Sequence, residues 1–143
     1  MDGTLTIETP TIPGYAVYLT LMDWYLHLTQ GQTLALRDLL MGKGNPWGGI
    51  VELDGQGEEI ALSVVNRRGE TVVRVLVDGE EDPAYVVLDD EERRAFADAL
   101  LYTSASPAER AGMEAVDKVR TAMRTELEQL REQARRMNDS GGA

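Results

Sequence analysis

Ser106-Pro107-Ala108-Glu109 places a capping serine, a proline at the first helical position and a glutamate three residues after the serine. The serine and glutamate satisfy backbone N–H groups that open a helix, and the proline has no N–H to leave unpaired. From there apolar side chains recur at alternating spacings of three and four: Met113, Val116, Met123, Leu127, Leu130, Ala134 and Met137. They fill seven of eight seam places, and Arg120 takes the eighth. This is the period of a coiled coil or of a helix seated in a groove. A helix over 107–137 is roughly 46 Å long at about 1.5 Å per residue, too long to cross a domain of this size without protruding. The chain is therefore expected to divide into a sheet domain, 1–103, and a module, 104–143, made of the capped long helix and a disordered, frayed tail at 138–143. A helix lying on the sheet of its own domain is the alternative.

The sheet domain announces itself in three runs, 49–54, 58–66 and 70–78, separated by the glycine-containing connections Gly55-Gln56-Gly57 and Arg67-Arg68-Gly69. Short connections of this kind join antiparallel strands. In the third run Val72, Arg74 and Leu76 alternate with Val73, Val75 and Val77, so one face is apolar and the other mixed. Ahead of these, 15–28 is rich in aromatic and β-branched residues and reads as two strands bending near Asp23, while 4–8 is a short β-rich run, an edge strand or a loose arm. The segment 30–33 reads as a turn, followed by a short helix at about 33–41 with Thr33 as candidate cap and Gly42 as its stop. The acidic stretch Gly79-Glu80-Glu81-Asp82-Pro83 leads into a last strand at 84–88. A helix at about 91–102, capped by Asp89 or Asp90, closes the domain. The fold class is α+β: a largely antiparallel sheet of five to seven strands with a short inserted helix and two C-terminal helices, the last one long.

Composition limits the chemistry. At 143 residues and 43% hydrophobic content the chain can bury a core without staples. It has no cysteine, which removes disulfides, thiolate metal sites and cysteine nucleophiles, and a reducing, cytoplasmic setting is the default expectation. The longest apolar stretch, 15–28, is broken by Asp23 and His27, so no membrane span or export leader is expected. The net charge of −11 is concentrated in residues 52–98, where fourteen acids face five bases. Such a field repels nucleic-acid backbone and suits solubility or a basic partner.

Gly42-Lys43-Gly44-Asn45-Pro46-Trp47-Gly48-Gly49 looks most like a site, yet it fails as a phosphate loop. A P-loop lysine stands directly before Ser or Thr at a helix mouth, whereas Lys43 precedes Gly44 and the segment runs into a strand. Trp47 remains as a candidate contact residue, either tucked onto the sheet edge or presented to a partner. His27 is the sole histidine and reads as a strand residue, which leaves no triad and no imidazole metal cluster. Neither acidic run, 79–83 or Asp89-Asp90-Glu91-Glu92-Arg93, has the ligand spacing of a calcium loop. Arg67, Arg68 and Arg74 form the one basic cluster of the sheet region. With Tyr15, Tyr18, Trp24 and Tyr25 they would make a stacking surface for single-stranded nucleic acid, against the surrounding charge.

The order of Tyr15-Ala16-Val17-Tyr18-Leu19-Thr20, Leu36-Arg37-Asp38-Leu39-Leu40-Met41-Gly42, Gly49-Ile50-Val51-Glu52-Leu53 and the run 60–70 resembles the signatures of the SsgA-like sporulation and cell-division proteins of actinobacteria. The resemblance covers about half of the chain. A strand at 84–88 and a longer, more heptad-like final helix depart from that pattern. It implies a non-enzymatic adaptor, a small homo-oligomer on a sheet akin to those of single-stranded nucleic-acid binders, which recruits division or wall-remodelling proteins.

The expectation is thus a non-enzymatic adaptor or regulatory protein that binds itself or a protein partner through Met113, Val116, Met123, Leu127, Leu130 and Met137, with Trp47 as a further contact. No catalytic residue, cofactor, metal or small-molecule substrate is expected. Nucleic-acid binding through Arg67, Arg68 and Arg74 is the alternative, and an acidic inhibitor imitating nucleic acid is a further one.

Overall fold

The computed structural model describes residues 4–53 and 58–141, so the Gly55-Gln56-Gly57 connection and the last two residues of the tail lie outside the described residues. Two compact units result, 1–105 and 106–143.

Among the described residues the first unit holds seven antiparallel strands, divided between two sheets. β1 (Leu5–Glu8), β2 (Val17–Leu21) and β3 (Trp24–Leu28) make a three-stranded sheet in that order. β4 (Gly48–Leu53), β5 (Ile60–Arg67), β6 (Glu70–Val77) and β7 (Glu80–Leu88) make a four-stranded meander. The single sheet expected from the sequence is corrected accordingly. β7 carries a bulge where it meets the other sheet. Between Arg74 and Leu76 the strand β6 advances two residues while its partner runs four, from Tyr85 to Glu81, and the bulge carries Asp82-Pro83-Ala84. Proline has no N–H for a ladder and is confined to edges and bulges. The sheets are tied here by a side chain instead: Trp24 Nε1–H donates to Asp82 Oδ1 at 3.1 Å.

Turn chemistry sets the hairpins. Met22 takes a positive φ of 53° at the β2–β3 bend next to Asp23. Asp78 and Gly79 both have positive φ, 52° and 80°, as a tight primed turn requires. Glu80 and Glu81 therefore belong to β7, which starts four residues before the expected 84.

Helix α1 (Gln30–Leu40) begins a turn earlier than expected. Thr29, not Thr33, is its cap: Gln32 N–H donates to Thr29 Oγ1 at 3.2 Å, and Thr29 N–H donates to Gln32 Oε1 at 2.9 Å. This reciprocal pair outweighs the helix-weakening Gly31. Thr33 lies buried inside the helix and donates its hydroxyl to the Thr29 carbonyl. At the other end Gly42, φ 71°, is the left-handed residue past the cap. Its N–H reaches Leu39 O, and the Lys43 N–H reaches Asp38 O at 2.9 Å. Helix α2 (Asp90–Ser104) starts with the same reciprocal device, Asp89 with Glu92.

α1 and α2 pack on each other, α1 against β3, β4 and β5, and α2 against β1, β2, β6 and β7. Alternation puts Val17, Leu19, Leu21, Leu26 and Leu28 of one sheet and Leu62, Val64, Val73, Val75, Val86 and Leu88 of the other into one core with Leu36, Leu40, Phe96 and Leu100. Arg93 of α2 donates to the Leu40 carbonyl at 3.1 Å, a cation at the C-terminal end of α1 where the helix dipole favours it.

The second unit is a single helix, α3 (Pro107–Gly141). Ser106 caps it, its Oγ accepting from Glu109 N–H at 3.1 Å. The helix continues through 138–141, which the sequence pattern assigns to the tail.

Candidate interaction surfaces

α3 is 35 residues long, and every side chain from Glu114 to Asn138 is exposed. The predicted stripe is among them: Val116, Met123, Leu127, Leu130 and Met137 are between 49% and 73% exposed, and Met113 is half-buried. Val119, which the spacing alone does not include, is exposed beside Arg120 and widens the stripe. Large aliphatic side chains at three-and-four spacing lie on one face of a helix, so these residues form a continuous ribbon. Charges gather elsewhere on the surface. Glu132 approaches Arg135 at 3.7 Å and Arg136 at 3.4 Å one turn on.

Trp47 stands in solvent, 75% exposed, on a backbone that is held at both sides. Its N–H donates to Asn45 Oδ1 at 3.1 Å, and its carbonyl accepts from Asn66 N–H at 2.9 Å. Of the two positions the sequence allows for this indole, the structure adopts the exposed one. Gly48 follows in a positive-φ conformation.

Trp47 precedes the outer face of the four-stranded sheet. Ile50, Ser63, Arg74 and Tyr85 face one another across the strands, and Val65, Val72 and Val87 make the adjoining row. Ile50 and Val65 are exposed. Arg74 is pinned within this face, its guanidinium 4.6 Å over the Tyr85 ring, donating to Asp82 O at 3.4 Å and 3.9 Å from Glu81. The alternation of 70–77 sets Val72 beside Arg74 on the mixed face; the register of β5 on β6, which the sequence does not display, adds Val65.

The structure brings part of the basic and aromatic set together and leaves the rest apart. Arg67 and Arg68 are exposed at the β5–β6 end, and Arg67 lines one depression of the outer face with Ser63, Val65, Val72, Arg74 and Glu81. Tyr18 and Tyr25 belong to the other sheet, and Tyr15 lies just before its strand β2. Tyr18 stacks on Tyr25, centroids 6.3 Å apart, and His27 sits 4.7 Å from the Tyr18 ring and 5.3 Å from that of Tyr15. His27 thus makes ring contacts on the outside of its sheet. Trp24 is committed to Asp82.

No protein-family model, curated protein or solved structure matches this chain. Among the described residues no group of His, Asp and Glu side chains is placed to hold a metal ion, and no helix is long and apolar enough to cross a membrane.

Proposed function

We propose that this protein is a non-catalytic interaction protein that associates with itself through the apolar ribbon of α3, and that this association is what allows it to act as an adaptor or regulator. The carrying observation is the exposure of Val116, Met123, Leu127, Leu130 and Met137 along one helix face. Local terms are too small to account for a helix of this length in water. An exposed ion pair one turn apart contributes about 0.3–0.5 kcal/mol, whereas burying a large aliphatic side chain completely contributes about 1.5–3 kcal/mol. A ribbon of such side chains is therefore the strongest source of stabilisation the helix carries, and it is drawn on only when another surface covers it. The resemblance to SsgA-like proteins supports the same reading, since it implies a homo-oligomeric adaptor.

Light scattering coupled to gel filtration tests this on the full chain. The expected mass is a multiple of 15.8 kDa, falling to one chain when Leu127 and Leu130 are both changed to aspartate. A monomeric mass for the unaltered protein through the tens of micromolar range would remove the proposal.

A further inference from the structure

The ribbon on α3 is flanked by charges whose order discriminates between ways of pairing two copies. Taking Met113, Arg120, Leu127 and Ala134 as one set of seam places and Val116, Met123, Leu130 and Met137 as the other, the positions just outside the seam are Val119, Glu126 and Gln133 on one side. Asp117, Arg124 and Arg131 lie on the other. In a parallel, in-register pair a flanking residue of one helix meets the residue five further along on its partner. Glu126 then meets Arg131 of the second copy, twice by symmetry. Val119 packs against the stem of Arg124, and no like charges face one another in the flanks; the one like-charge meeting of this register is Arg120 with Arg120 of the second copy within the seam, a cost that the two Glu126–Arg131 contacts offset.

An antiparallel pair that covers the whole seam behaves differently. It sets Arg124 against its own copy and Glu126 against its own copy, and these like-charge contacts offset the two Asp117–Arg131 contacts it makes. Arg120 adds a constraint on number. A single charged residue in a seam is tolerated where its long stem can carry the head to water, as it can from the first seam set of a two-stranded pair, and becomes costly in the more enclosed seams of three or four strands.

We infer that α3 of one chain pairs with α3 of a second copy of this chain, parallel, in register and two-stranded, with Glu126 and Arg131 as the orienting contacts. This rests on the self-association proposed above and gives it a geometry.

The test uses the full chain, which has no cysteine of its own. Met137→Cys, placed in a glutathione redox buffer, is expected to form a disulfide-linked dimer in high yield, because position 137 faces itself only in the parallel register. In the antiparallel pair position 137 faces position 113, about 36 Å along the helix from its own copy. A mixture of Met113→Cys and Met137→Cys chains that cross-links 113 to 137 would therefore overturn the inference while leaving self-association standing. Glu126→Arg is expected to weaken dimerisation about tenfold, by turning two attractive flank contacts into repulsive ones. Adding Arg131→Glu to that variant should restore it. A weakened single variant without rescue, or a mass of three or four chains, would also overturn it. A monomer at all concentrations would instead sink the self-association reading on which it stands.

Discussion

The indole of Trp24 and the carboxylate of Asp82 are joined at 3.1 Å across 58 residues of sequence, and this bond links β3 of one sheet to β7 of the other. Asp82 Oδ1 also accepts from Ala84 N–H at 2.9 Å. The carboxylate thus holds the bulge and the sheet junction together. Trp24→Phe removes one donor and leaves the bulge bond, so a loss of about 1–2 kcal/mol is expected. Asp82→Ala removes both and should cost more. Urea unfolding monitored by circular dichroism measures both, and equal or negligible losses would show that the junction does not depend on this residue pair.

Gly48 is the position in the glycine loop that tolerates least. Its φ is 111°, and a Cβ built there would run into the Val64 carbonyl of the neighbouring strand. Gly48→Ala should destabilise the protein by more than about 2 kcal/mol, through strain and a displaced β4–β5 ladder. At the adjoining Gly49 a Cβ would meet only the flexible end of Leu39 at 3.0 Å. Gly49→Ala should cost clearly less, and thermal unfolding of the two variants side by side checks the ranking.

Gly112 presents the opposite case. It lies inside α3, and a Cβ added there would meet nothing within 4 Å. Alanine at this position removes a backbone-entropy cost of roughly 0.5–1 kcal/mol without a clash. Gly112→Ala should raise the helical signal and the midpoint of α3 melting; a drop in either would place that residue against something.

Trp47 and Trp24 are the two tryptophans of the chain and differ in exposure. The fluorescence of the protein should contain a red-shifted component open to iodide quenching, which Trp47→Phe abolishes while the component from half-buried Trp24 persists. The same variant should leave stability within about 0.5 kcal/mol, as expected of an exposed side chain whose backbone carries the hydrogen bonds. A blue-shifted, unquenchable Trp47 would contradict its placement.

Much of the architecture can be read from neighbouring residues. The alternation in 70–77, the glycine at the close of the hairpin at Arg68-Gly69, and the stop of α1 at Gly42 all rest on interactions within a few positions. α1 shows where such reading slips. Gln30-Gly31-Gln32 resembles a turn by composition, and only the reciprocal bonds of Thr29 and Gln32 make it the first turn of a helix. The strand content of Glu80 and Glu81 is hidden in the same way, since a carboxylate run looks like loop until a partner strand is supplied. For the candidate surface, the periodicity of α3 names the ribbon from Met113 to Met137. The outer-face row of Val65, Val72 and Val87 is not legible, because it is assembled from three strands whose register the sequence does not display.

By itself the amino-acid sequence determined that α3 starts at a serine-capped proline, that its apolar residues share one face, and that 70–77 alternates between two faces. Capping and periodicity are short-range and act through the backbone of a few adjacent residues. Only the tertiary structure decided that seven strands part into three and four, that Trp24 reaches Asp82, that Arg74 settles over Tyr85, and that Trp47 stands in solvent. Each of those outcomes depends on a contact between residues far apart in the chain, whose free energy exists only once the intervening segments have packed.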